Sequence, residues 1–330
     1  MNLRNNINFS LWCDFIERDF LENEFQTIIN DKTIHGATSN PAIFENSIVN
    51  SDAYSQQIAM LQANNNKRIY EELAITDIKR AAELLYPLYE NDNNDGFISI
   101  EVDPTLCDDS FATIEEGSRL FSEIGHENVM IKVPATEAGY VAMENLTAMG
   151  INVNATLIFT PEQAINCAKA LDAGINKSQK DPKAVISVFV SRFDRELDSK
   201  LSTLDIPTAK MGIINATKCY YEVEKFSNKN IRTLFASTGV KGDDLAADYY
   251  IKNLIYPNSV NTAPLATIKA YMNNKTFKES ELVSEDECDT FFMTLNSNGI
   301  DVQSVSQKLL DDGLEAFKVS FKTMLEKIKN

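Results

Sequence analysis

The stretch Asn128-Val129-Met130-Ile131-Lys132-Val133-Pro134-Ala135-Thr136 decides how this chain is read. Its near-continuous apolar run suits a parallel strand covered on both faces, yet one ammonium stands in its middle. Lysine is almost never fully buried without a partner or a task. Burial disfavours the charged ammonium and favours the neutral amine. A neutral amine in a dry pocket is the nucleophile that condenses with a carbonyl to give a Schiff base.

Outward from this segment, seven similar runs rich in Ile, Val, Phe and Thr recur along the chain. They are 10–16, 33–39, 97–103, 151–159, 184–191, 232–238 and 259–267, and with 128–135 they make eight. Amphipathic stretches lie between them. Ile78, Ala81, Ala82 and Leu85 repeat at helical spacing, as do Tyr54, Ile58 and Leu61. Thr160-Pro161-Glu162-Gln163 has capping-box spacing with Pro at the first helical position. Gly125, Gly150 and Gly174 are each expected as the left-handed residue that ends a helix. Eight strands alternating with helices predict an α/β chain, a (β/α)8 TIM barrel with extra C-terminal helices. The whole chain, 1–330, reads as one domain, with a helical extension from about residue 278. Leu310, Leu314, Phe317, Phe321, Leu325 and Ile328 form an apolar stripe on the last helix. Such a helix packs either on the barrel's outer wall or across its mouth, where it would exclude water.

Of the 330 residues 44% are hydrophobic, enough for a large core, and the net charge is −17. That charge argues against nucleic acid and anionic membrane as partners. The five cysteines are odd in number, scattered and without a C-x-x-C pair, as expected of reduced thiols in a cytoplasmic protein. The start, Met1 to Asn6, lacks a signal-peptide pattern, and no run has the length of a membrane span. His35 and His126 have no metal-ligand spacing, and G-x-G-x-x-G and G-x-S-x-G are absent. No metal and no organic cofactor is expected.

Catalytic groups of such a barrel stand at the C-terminal ends of its strands. There the sequence offers Asp14, Asn40, Glu101, Lys132, Asn154, Thr156, Ser187, Arg192 and Ser237. Alternation puts Ser99, Glu101 and Asp103 on one face and makes Glu101 inward, which is costly unless it is paired or functional. Asn154 and Thr156 point the same way, either as structural hydrogen-bonders or toward a polyol and a water. Asn40 precedes Pro41 and could equally cap a helix. Arg192 has Asp194 and Glu196 nearby as ordinary ion-pair partners, but with Ser237 it also stands where such barrels clamp phosphate.

These segments together resemble the transaldolase family over essentially the whole length. The resemblance is carried, in order, by SLWCD (10–14), GATSNPAIF (36–44), SIEVD (99–103), MIKVPAT (130–136), GINVNATLIF (150–159), VFVSR (188–192) and ASTGVK (236–241). It implies a cofactor-free class I aldolase barrel that moves a dihydroxyacetone unit from sedoheptulose 7-phosphate to glyceraldehyde 3-phosphate. Lys132 matches the Schiff-base lysine, Asp14 the acid–base aspartate, and Glu101 with Thr156 the pair that holds a catalytic water. Asn40, Asn154 and Ser187 match contacts to the dihydroxyacetone part, and Phe189 matches a residue lining that pocket. Arg192 and Ser237 match the phosphate site. One branch of the family has an arginine where this chain has Gly239, and Lys241 is expected to supply that charge. Sugar phosphates are the partners implied, and a homodimer is among the assemblies left open. The rival readings are a cleaving aldolase of the fructose 6-phosphate type and a non-catalytic sugar-phosphate-binding barrel.

Overall fold

The computed structural model describes residues 3–274 and 278–329. Met1 and Asn2, part of the start read above for a signal peptide, lie outside them. So do 275–277 and 330, which the single-domain reading also included.

The described residues form eight strands: β1 (Ser10–Cys13), β2 (Gly36–Thr38), β3 (Phe97–Glu101), β4 (Val129–Pro134), β5 (Asn152–Ile158), β6 (Ala184–Phe189), β7 (Ile231–Ala236) and β8 (Ser259–Ala263). They pair in parallel in sequence order, and β8 closes on β1. The expected (β/α)8 barrel is therefore the observed one.

Each of these strands is shorter than its apolar run. The eighth stops at Ala263 because Pro264 has no N–H for the ladder, and Thr267 falls in helix Leu265–Asn274. The sixth stops at Phe189, and Ser191 opens helix Ser191–Thr203. Ser191 thus opens a helix rather than ending a strand, and Arg192, expected at the strand's exit, sits in that helix's first turn.

Side chains alternate between the faces of a strand, so the parallel register stacks rows inside the barrel. One row is Trp12, Gly36 and Phe97. A Cβ on Gly36 would lie 2.7 Å from the Trp12 ring, so the indole occupies the space that β2 leaves free. A higher row is Glu101, Lys132 and Asn154. Two apolar clusters form the core. One fills the space between strands and outer helices. The other runs up the barrel axis from Trp12, Phe97 and Val260 to Phe159, Phe189 and Phe317.

Helix Asn66–Asn91 buries Ile78, Ala81, Ala82 and Leu85 as their spacing predicts. Gly125 (φ +71°) and Gly150 (φ +82°) adopt the left-handed conformation just past their helices. Gly174 does not. It lies inside helix Pro161–Lys177, where a Cβ would come within 1.9 Å of Thr147 Oγ1 and 2.3 Å of the Glu144 carbonyl oxygen. Its missing side chain serves close helix contact, not chain reversal. Thr160 caps its helix by accepting from the Gln163 N–H at 3.0 Å. Gln163 in turn accepts from the Phe159 N–H rather than that of Thr160, so the capping box is only half made.

After the barrel come helices Glu285–Ser297 and Val302–Lys327. The second packs on helix Pro41–Asn50 after β2, the turn Pro104–Leu106 after β3 and helix Ser191–Thr203 after β6. All three stand at the C-terminal ends of strands, so this helix crosses the mouth and then runs onto the outer helix Asn66–Asn91, where Phe321 meets Tyr70 edge-on. Of its stripe, Phe317, Phe321 and Ile328 are buried, and Leu310, Leu314 and Leu325 are half-buried.

Candidate active site

Lys132 projects from the middle of β4 into the barrel and is 5% exposed. Its Nζ donates to the Ser39 carbonyl at 3.1 Å and lies 3.6 Å from Glu101 Oε2. The Phe317 ring of the last helix stands over it, with its centroid 6.0 Å away. Glu101, in the same row on β3, is buried, and its Oε2 accepts no hydrogen bond from any described residue. Burial pushes its carboxyl up to about 7, although the Lys132 charge opposes this.

Asp14 follows the last residue of β1 and continues the ladder, donating its N–H to the Ala263 carbonyl at 2.9 Å. Burial raises its carboxyl above the usual range, while the Lys132 charge and the Thr38 hydroxyl, donating at 2.6 Å, draw it down. One amine is therefore flanked by two carboxyl groups, both of which hold a proton more firmly than a solvated acid. Such a set can supply a nucleophile together with proton donors and acceptors working near neutral pH.

Around the amine, Asn154 donates to Ser99 Oγ at 3.2 Å and accepts from the Ser187 hydroxyl at 2.7 Å. Thr156 is wholly buried, and its hydroxyl finds no partner among the described residues. A buried hydroxyl without a partner in a polar interior suits a bound water or substrate hydroxyl. Asn40 caps helix Pro41–Asn50, accepting from the Ile43 N–H at 3.0 Å. The capping role is thus realised, and only its amide NH2 remains for a ligand.

The ordinary ion-pair explanation for Arg192 fails. Asp194 accepts from the Gly212 N–H and the Tyr250 hydroxyl, each at 2.8 Å, and Glu196 pairs with Lys308 at 3.1 Å. The Arg192 guanidinium instead packs on aromatic rings, 4.9 Å from the Phe189 centroid and 5.9 Å from that of Phe159. Ser237 has φ +54°, and its hydroxyl is 3.1 Å from that of Ser191. Lys241 is exposed on the loop beyond, with no ion pair to any described residue. The structure therefore joins Arg192 to Phe189, sets Ser237 beside Ser191, the residue before Arg192, and leaves Lys241 exposed.

Asp103 does not share the inward face of Glu101. β3 ends at Glu101, and Asp103 turns to pair with Lys67 at 2.7 Å and to cap the turn Pro104–Leu106. Sequence reasoning passed over Thr38, although it ends the short strand Gly36–Thr38 two residues before Asn40. It also missed the Ser39 carbonyl, which no side-chain pattern can reveal. Among the described residues, no group of three or more His, Cys, Asp or Glu side chains gathers as a metal site would. No described helix is long and apolar enough to cross a membrane.

A cavity of about 590 Å³ opens at the other end of the barrel, lined by residues including Arg4, Phe9, His35 and Asp95. Arg4 and Asp95 are already paired at 2.7 Å, and neither Lys132 nor its two acids reach this space. The reactive constellation belongs to the mouth under the last helix.

Known proteins resemble this chain over nearly its whole length. A family model described as transaldolase/fructose-6-phosphate aldolase matches residues 11–328. A transaldolase of Helicobacter pylori (strain ATCC 700392 / 26695) is 49% identical over 317 residues, spanning 96% of this chain and 98% of its own. A transaldolase of Campylobacter jejuni (strain RM1221) is 48% identical over 334 residues, spanning 97% and 99%. A crystal structure of fructose-bisphosphate aldolase from Campylobacter jejuni aligns with a TM-score of 0.43 at 10% identity, covering 99% of this chain and 93% of that one. By the family match and these two full-length relatives, the chain belongs to the transaldolase/fructose-6-phosphate aldolase family.

Proposed function

We propose that the chain catalyses the transaldolase reaction, transferring a dihydroxyacetone unit from sedoheptulose 7-phosphate to glyceraldehyde 3-phosphate and releasing erythrose 4-phosphate and fructose 6-phosphate. The observation that carries this reading is the placement of Lys132, buried in the barrel interior 3.6 Å from Glu101 and within the field of Asp14. Nζ of Lys132 attacks the ketose carbonyl, forming the carbinolamine. Loss of water then gives an iminium. Glu101, its carboxyl pushed up to about 7 by burial, with the Thr156 hydroxyl, which has no partner among the described residues, suits the proton transfers of that dehydration through a bound water. Asp14 then takes the proton of the donor's C4 hydroxyl, the C3–C4 bond breaks, and its electrons enter the iminium as the aldose leaves. The three-carbon enamine stays on Lys132 until the acceptor aldehyde arrives, and the steps reverse. Asn154, Ser187 and the Asn40 amide offer hydrogen bonds to the hydroxyls of the three-carbon unit, and Phe189 lines its pocket. Arg192 and Ser237 face the phosphate.

The cleaving reading differs only in the fate of the enamine, which water would protonate and hydrolyse to free dihydroxyacetone. The last helix, with Phe317 above the amine, favours transfer because it screens that intermediate from solvent.

The test is to treat the protein with fructose 6-phosphate and borohydride. Mass spectrometry should find a reduced three-carbon adduct on Lys132, and Lys132→Ala should keep its fold and lose turnover. An unmodified lysine, or near-parental activity of the variant, would sink the reading. Rapid release of dihydroxyacetone without erythrose 4-phosphate would favour the cleaving aldolase.

A further inference from the structure

Glycine in the interior of an exposed-to-buried helix costs about 1 kcal/mol relative to alanine, and Gly313 lies mid-way along the 26-residue helix Val302–Lys327, on its buried side. The local reason lies beneath it. A Cβ on Gly313 would stand 2.9 Å from Arg192 Nη1 and 2.9 Å from Leu157 Cδ2. Leu157 itself is unusual, a buried strand residue with φ +59° at the register shift between β5 and β6. The guanidinium is thus boxed in by the Phe189 and Phe159 rings, the Leu157 side chain and the bare helix backbone at Gly313.

No described carboxylate comes within ion-pair distance of Arg192. Asp312, next to Gly313, is occupied by Lys308 at 3.0 Å. Packing rather than an ion pair sets the direction of this arginine, so its donors stay available to an anion. A Cβ at 313 would meet a rigid, wholly buried leucine and the far end of a long side chain. At 2.9 Å from each, both contacts must relax, and the guanidinium, at the end of the longer side chain, has the greater distance to move.

We propose that Gly313 is a positioning residue: by leaving its Cβ out, it seats Arg192 for the phosphate end of the substrate and so sets the preference for phosphorylated over unphosphorylated sugars. This rests on the reading of Arg192 under the proposed function. It assigns a role in substrate choice to the C-terminal helix, which otherwise serves as a cover.

The experiment compares Gly313→Ala with the parent in two assays, with Gly313→Ser as a second variant expected to move in the same direction. For fructose 6-phosphate, KM should rise about tenfold (~1.4 kcal/mol), less than the full loss of a charge-assisted contact, with kcat little changed. For unphosphorylated dihydroxyacetone, borohydride trapping on Lys132 should proceed as in the parent. In an Arg192→Ala background, Gly313→Ala should add nothing to KM, because the group it displaces is gone. An unchanged KM, an equal rise in the Arg192→Ala background, or a parallel loss of dihydroxyacetone trapping would each overturn the proposal. Failure of the parent protein itself to trap any adduct would instead overturn the Schiff-base reading, and this inference with it.

Discussion

Thr38 shows how a residue outside the reacting set can still govern it. Its hydroxyl donates to Asp14 at 2.6 Å and lies 2.7 Å from the Thr262 hydroxyl, so it is held from one side and presented to the carboxylate from the other. A hydrogen bond to a carboxylate stabilises the charged form and lowers its pKa. Thr38→Val keeps the volume and removes the donor, so Asp14 should hold its proton more firmly. The acidic limb of the kcat profile should move to higher pH, and the rate at neutral pH should fall about tenfold, part of the ~10²–10⁴-fold that a positioned proton-transfer group contributes. An unmoved limb would show that Thr38 does not set the charge of Asp14. At this scale the sequence was informative where a polar residue interrupts an apolar run, as at Lys132, Glu101 and Asp14. It was silent where the partner is a backbone carbonyl, as at Ser39, or a hydroxyl in a strand of three residues, as at Thr38.

Among the elements, strand periodicity predicted the sheet well because buried parallel strands are apolar throughout, whereas their ends depend on where the chain must turn. That is why Thr267 and Ser191 moved from strand to helix. Glycine was read less well than either. Gly125 and Gly150 end helices, but Gly174 lies within one, against Thr147 and the Glu144 carbonyl of the neighbouring helix Glu137–Ala148. Alanine favours helix by about 1 kcal/mol over glycine, so propensity alone predicts that Gly174→Ala stabilises. The contact geometry predicts the opposite, a loss of ~1–3 kcal/mol from overpacking. The urea midpoint should therefore fall, and an equal or higher midpoint would show that the two helices separate at little cost. A helix end and a helix–helix contact both call for glycine, and local sequence does not separate them.

For the molecule as a whole, the buried acids make stability depend on pH. Glu101 is held at about 7 against an ordinary 4.5, chiefly by burial. The folded protein therefore keeps a proton that the unfolded chain has released in that interval. The contribution is whole below pH 4.5 and is lost as the pH climbs to about 7. Glu101→Gln does not titrate, so its unfolding temperature minus that of the parent should rise across this window and level off on either side. Asp194, raised to about 6 by burial, acts in both proteins and cancels in the difference. A difference independent of pH would mean that Glu101 titrates as an exposed acid does. The sequence by itself determined the eight-strand alternation and the inward lysine, aspartate and glutamate, because burial leaves its mark on composition and period. Only the tertiary structure decided that the last helix crosses the mouth, that Arg192 rests on rings rather than on an acid, and that Lys241 stays in solvent. Those outcomes depend on contacts between segments far apart in the chain, where closeness follows from the way the barrel closes and not from any local pattern.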